Sequence, residues 1–194
     1  TYAESETVEI LLQVTKGLLE VTDLVHRDLK PGNILFHQGK WKVADFGIAK
    51  FVEDSTSLQT LKDCLTPQYA APEQWEYRHP THAVDVYALG CIGYELLTGH
   101  PPFTGSVEDI KQGHLQSEPP ALQSVNPRLR SLLAMMLRKM PETRPSLERV
   151  KYHLEQTLES NGRVAAGGFS ALSNVAAEVL EQSAKEEAQI RTEQ

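Results

Sequence analysis

A mainly helical fold with one short β-hairpin is what the residue pattern predicts. Three observations carry this. Apolar residues recur at helical spacing near the start of the chain. A longer stretch, from about Thr81 to Thr98, is apolar almost all round. Several further segments pair a capping residue with an apolar stripe, whereas only two short runs alternate as strands do.

Taken in order, Val8, Leu11, Leu12, Val14, Leu18 and Leu19 return about every 3.6 residues, with Ser5 as the expected N-cap and Glu6 and Glu9 in the first turn. Leu24-Val25 leads into a charged knot, His26 to Asn33. Ile34-Leu35-Phe36-His37 and Trp41-Lys42-Val43-Ala44 then flank Gln38-Gly39-Lys40, which reads as a hairpin with glycine in the turn. Residues 48 to 70 are rich in Ser and Thr without a period, so a loop is expected.

The helix of Thr81–Thr98 belongs inside a core, because no face of it is polar, and Gly99 before Pro101-Pro102 ends it. Ser106 opens a short helix to about His114. Asn126-Pro127 starts another, with a stripe of Leu129, Leu132, Leu133, Met136 and Leu137. Pro141 and Pro145 interrupt the chain, and Ser146 caps a helix to about Leu158. Asn161-Gly162 and Gly167-Gly168 mark a flexible link. In the stretch Ser170 to Gln194, Leu172, Val175 and Val179 begin a heptad that lapses at Gln182, too short for a coiled coil, so a solvated helix is expected.

The 194 residues suffice for one core. With 40% hydrophobic and 23% charged residues, the chain is neither disordered nor a disulfide miniprotein. Its net charge of −7 disfavours nucleic acid or an anionic membrane as a general partner. Cys64 and Cys91 are the sole cysteines and lack metal or redox spacing, so a reducing compartment and a cytoplasmic location are expected. No run approaches the roughly 18 apolar residues of a membrane span. The start, Thr1-Tyr2-Ala3, is read as a cut within a longer chain.

The stretch His26-Arg27-Asp28-Leu29-Lys30-Pro31-Gly32-Asn33 resembles the catalytic loop of protein kinases, H-R-D-L-x-x-x-N. Asp45-Phe46-Gly47 resembles the D-F-G motif and Ala71-Pro72-Glu73 the A-P-E motif, in the family's order. Each fragment alone is an ordinary turn or strand end; together, from about residue 5 to residue 158, they mark the chain as similar to eukaryotic-like (Hanks-type) protein serine/threonine kinases of bacteria. Asp28-Leu29-Lys30-Pro31 and Thr66, ahead of Pro67 and Tyr69, resemble the serine/threonine type rather than the tyrosine type. Leu65 departs from the glycine usual before that threonine.

The resemblance implies roles. Phosphoryl transfer needs positioning and charge neutralisation more than covalent chemistry. Asp28 would accept or orient the proton of a Ser/Thr hydroxyl on a protein substrate, and Lys30 would face the transferring phosphate. Asn33 and Asp45 would hold Mg²⁺ against ATP, a cation that takes one or two protein oxygens plus phosphate oxygens and water. Arg27 would pair with an activation-loop phosphate on Ser55, Thr56, Ser57 or Thr60, with Thr60 nearest the Pro67–Tyr69 segment, while Thr66 would touch Asp28 and Lys30. His26, Glu73, Asp85 and Arg144 would be structural: Glu73 paired with Arg144, and Asp85 holding the catalytic-loop backbone. Trp75 reads as a packing anchor.

The upper, β-rich lobe is expected to be absent. No G-x-G occurs, no V-A-I-K occurs, and only 25 residues precede His26. Residues 1–160 are therefore expected to form a helical kinase C-terminal lobe with its hairpin, and 161–194 a linker and short helix. The missing N-lobe of the same polypeptide becomes an implied partner, without which the fragment is expected to be inactive. Two other readings stay open: a pseudokinase or regulatory interaction lobe, and a small-molecule phosphotransferase with a kinase-like fold.

Overall fold

In the computed structural model, residues 1–46 and 66–162 are described. They form a mainly helical body with one two-stranded antiparallel sheet. Helix α1 spans Glu4–Leu19. A 3₁₀ turn at Pro31–Asn33 leads into β1, Ile34–His37, and β2, Lys40–Val43. A second 3₁₀ turn, Pro67–Tyr69, precedes the short α2, Pro72–Trp75. Then come α3, His82–Thr98, α4, Val107–Gln116, and α5, Pro127–Met136. A third turn, Pro141–Thr143, precedes α6, Leu147–Gly162.

The central element is α3. Its residues from Val84 to Leu96 are buried on nearly every side, apart from Glu95. Thr81 stays outside as N-cap, its hydroxyl accepting from Ala83 N, and Gly99 closes the helix at φ 85°, where a side chain would be strained. Helix α5 lays Leu129, Leu132, Leu133 and Met136 against it, and α1 adds Leu11. The approach is close at Gly93, where an added Cβ would stand 2.7 Å from Leu133 Cδ2 and 3.0 Å from Leu11 Cδ1. Helix α6 packs along α1 through Leu147, Val150 and Leu154.

Of the boundaries that differ from the sequence reading, three have a clear local cause. Helix α1 starts at Glu4, with Ala3 as the cap position, and Glu6 reaches back so that its carboxylate accepts from Ala3 N at 3.2 Å. That bond satisfies the helix entrance without a hydroxyl, so Ser5 lies inside the first turn. The hairpin turn is Gln38-Gly39, because Lys40 already pairs with His37. Both turn residues have positive φ, 51° and 75°, the geometry that matches strand twist. Helix α6 continues to Gly162 rather than stopping near Leu158, since Asn and Gly are tolerated in a last turn. The expected linker and tail from residue 163 onward lie outside the described residues.

The hairpin is fastened to α1. Trp41 N donates to Gln13 Oε1 at 2.7 Å, and Gly17 meets the Val43 side chain. This fixes where the strand ends emerge, and therefore where the charged loop before β1 and the Asp45 segment after β2 are placed. No helix among the described residues is long and apolar enough to cross a membrane.

Candidate active site

The loop His26–Asn33 is anchored from below by Asp85 on α3. The His26 and Arg27 backbone N–H groups donate to its two carboxylate oxygens, each at 2.9 Å. Asp85 is almost fully buried. Burial pushes its carboxyl up, and these two N–H bonds pull it back toward the ionised form. The anchored segment is strained: Arg27 sits at φ 71°, a left-handed conformation that costs a non-glycine residue about 1–2 kcal/mol. The Gln74 side chain of α2 completes the support, Nε2 donating to the Arg27 carbonyl at 2.8 Å while Oε1 accepts from Ala71 N at 2.9 Å.

Asp28 follows that strained residue and is buried. Thr66 Oγ1 donates to its Oδ1 at 2.6 Å, Lys30 Nζ lies 3.2 Å from its Oδ2, and Lys30 Nζ also donates to Thr66 Oγ1 at 3.1 Å. The three side chains close a triangle between the loop and the 66–74 segment. Each carboxylate oxygen offers two lone-pair directions, so Asp28 retains acceptor capacity for a further hydroxyl.

Asn33 donates from Nδ2 to the Asp28 carbonyl at 2.8 Å, which fixes the amide against the loop. The residue before Asp45 ties the two segments together. Ala44 N donates to the Asn33 carbonyl at 2.8 Å, and the Ala44 carbonyl accepts from His26 Nε2 at 3.0 Å. Both ends of the 26–33 loop thus clasp one residue, Ala44, and Asp45 follows it exposed at φ 60°. Phe46 then packs its ring on His26, centroids 4.9 Å apart. His26 is fully buried and serves as this tie. Gly47, Ser55, Thr56, Ser57, Thr60 and Leu65 lie outside the described residues.

Glu73 and Arg144 form a buried bidentate pair, Nη1 to Oε1 at 2.6 Å and Nη2 to Oε2 at 2.8 Å. The guanidinium also donates to the carbonyls of Arg138, Ala83 and Lys139, so all five N–H donors are engaged. It lies over the Tyr87 ring at 4.7 Å. Arg27 contrasts with it: its buried Nε and Nη1 have no hydrogen-bond partner among the described residues. Trp75 is half-buried, and its buried Nε1 likewise finds none.

Three connections gave no sequence signal: the Gln74 brace, the Tyr69 hydroxyl donating to Glu95 Oε2 at 2.7 Å, and Tyr87 meeting His114 Nδ1 at 2.9 Å. Gln74 occupies the position from which a capping-box side chain reaches back, but Ala71 supplies no partner hydroxyl, so the pattern is half present.

Among the described residues, no cluster of three or more His, Cys, Asp or Glu is arranged to hold a metal ion unaided. The oxygens of Asn33 and Asp45 suit a hard cation that draws its remaining ligands from phosphate and water.

The structure thus brings together a loop built on H-R-D-L-K-P-G-N, an Asp tethered beside its end, and an A-P-E segment locked by arginine, the motifs by which the sequence resembles protein kinases. Residues 1–154 match the protein kinase domain model, and the chain belongs to that family. It is 40% identical over 144 residues to the serine/threonine-protein kinase PkaA of Streptomyces coelicolor, covering 72% of this chain and 26% of that protein. It is 43% identical over 140 residues to serine/threonine-protein kinase PknA of Mycobacterium tuberculosis, covering 69% and 32%. A PknA of Corynebacterium glutamicum is 38% identical over 146 residues. The chain spans about a quarter to a third of the length of these bacterial relatives.

Proposed function

We propose that this chain is the helical lower lobe of a protein serine/threonine kinase, residues 1–160, followed by a linker and short helix at 161–194. The observation that carries the reading is the Asp28–Lys30–Thr66 triangle beside Asn33 and the tethered Asp45. In the reaction, the oxygen of a substrate Ser or Thr forms a bond to the γ-phosphorus of ATP. The bond from that phosphorus to the β–γ bridging oxygen breaks, and ADP leaves. Asp28 orients the attacking hydroxyl and takes its proton. Lys30 opposes the charge on the phosphoryl oxygens. Asn33 and Asp45 would hold Mg²⁺, which supplies charge neutralisation to the phosphates when bound.

Leu35, which is 52% exposed on the hairpin just past Asn33, offers an apolar floor for whatever closes over the nucleotide. The Arg27 Nε and Nη1, buried and without a hydrogen-bond partner among the described residues, support its pairing with a phosphate on Ser55, Thr56, Ser57 or Thr60. The Glu73–Arg144 lock supports protein rather than small-molecule acceptors, because the A-P-E segment it secures flanks the acceptor side of the triangle. The need for ATP and the cysteine usage support a cytoplasmic site of action.

The test is Asp28→Asn in the full-length protein. Radiolabel transfer from ATP to a Ser/Thr peptide should fall by about 10²–10⁴-fold, with the melting temperature close to wild type. Undiminished transfer by that variant would show that Asp28 has no part in the reaction.

A further inference from the structure

We propose that Gln74 is a positioning residue for Asp28, acting through the Arg27 carbonyl. The inference rests on the catalytic reading of Asp28 given above and assigns a second support to it.

The Arg27–Asp28 peptide is where the loop is strained, and its orientation sets the direction in which the Asp28 side chain departs. A left-handed non-glycine residue persists only where its surroundings over-determine it. On the N-terminal side, Asp85 does this through the His26 and Arg27 N–H groups. On the C-terminal side, the sole partner of the Arg27 carbonyl among the described residues is Gln74 Nε2, at 2.8 Å. Without it, nothing polar in the described structure fixes the rotation of that peptide. Gln74 is itself held, since its Oε1 accepts from Ala71 N at 2.9 Å at the start of α2. Arg27, Asp28, Thr66, Tyr69 and Gln74 line one small cavity, so the Gln74 amide reaches the Arg27 carbonyl in the same place where Asp28 and Thr66 meet. The neighbouring Glu73 is fixed by Arg144, so α2 is a rigid base from which Gln74 can act.

The two amide functions separate cleanly in Gln74→Glu. A carboxylate still accepts from Ala71 N, which preserves the helix entrance, but it cannot donate to the Arg27 carbonyl. A helix-entrance role alone therefore leaves this variant like wild type. The positioning role lowers its kcat.

The experiment is steady-state kinetics on the full-length kinase, wild type against Gln74→Glu and Gln74→Ala, with rates normalised to folded protein. Misplacement of a catalytic group should lower kcat about tenfold or more in both variants, with KM for ATP within about twofold. For Gln74→Glu the ratio to wild type should rise as pH falls from about 7.5 toward about 4.5, where the carboxyl becomes protonated and regains an O–H donor; for Gln74→Ala it should stay flat. Active wild type with an unchanged kcat in Gln74→Glu overturns the inference alone. A loss in Gln74→Glu explained entirely by unfolded protein also overturns it. A wild-type protein that transfers no phosphate overturns the functional reading and this inference with it.

Discussion

Arg144 shows how far a single side chain can be committed. Its five donors are used, its partner Glu73 is 4% exposed at the side chain, and its own side chain is 0% exposed. Attraction between such charges is offset by their desolvation, so the pair is not a large source of stability. Removing one partner is another matter, because the remaining charge stays buried. Glu73→Gln should cost about 3–5 kcal/mol in urea denaturation, and a loss under about 1 kcal/mol would show the guanidinium to be solvated after all. His114 is the second instructive residue. It is fully buried beside Tyr87 and Phe103, and burial, helped by the nearby Lys139 charge, lowers its pKa to about 4. The unfolded chain takes up a proton at His114 below about 6.5 and the folded chain only near 4. Stability is therefore lost as pH falls through that window, by about 3 kcal/mol in all. His114→Phe should flatten the slope of unfolding free energy between those pH values, and an unaltered slope would place the effect elsewhere. Lys139, half-buried and with its pKa lowered chiefly by burial to about 8, adds a slope of the same sign only above that pH.

At the scale of elements, α4 is held against the loop after α3 by contact rather than by charge. Gly113 faces Phe103 so closely that an added Cβ would stand 2.5 Å from the ring Cγ and 2.8 Å from Phe103 Cβ. A ring attached this near the backbone has little room to yield. Lys139 reinforces the joint, donating to the Gly113 carbonyl at 2.9 Å and lying over the Phe103 ring at 4.7 Å. Gly113→Ala should destabilise by about 1–3 kcal/mol in urea denaturation, since overpacking outweighs the roughly 1 kcal/mol that alanine gains in a helix. A more stable variant would show that the 99–106 connection moves aside. Helix α2 makes the complementary point. It is one turn long, and its place comes from Glu73 and Gln74 rather than from its own propensity.

For the whole molecule, α3 and its neighbours supply a rigid base, and the proposed chemistry falls to the loop segments set on it. Nothing in the sequence supplies a glycine-rich phosphate clamp or its lysine. The 194-residue chain alone is therefore expected to bind Mg-ATP weakly and to turn it over no faster than buffer does. Titration calorimetry with a parallel ADP-release assay checks this, and affinity with turnover typical of an intact kinase would overturn the assignment to a single lobe.

The sequence by itself determined the long helices, the hairpin and the three motifs that mark the family, but not the short α2 or the Pro67–Tyr69 turn. Helical spacing gave α1 and α5, the caps Ser106 and Ser146 gave α4 and α6, all-round apolarity gave the buried α3, and the ordered H-R-D, D-F-G and A-P-E segments gave the family. Those signals are local, carried by neighbours a few positions apart. Only the tertiary structure decided that Gln74 braces Arg27 across 47 positions, that Tyr69 reaches Glu95, and that Ala44 is clasped by both His26 and Asn33. Such bonds join single polar groups far apart in the chain and leave no period to read. They form because packing brings those groups out of water together, where each must find a partner or remain unsatisfied at a cost.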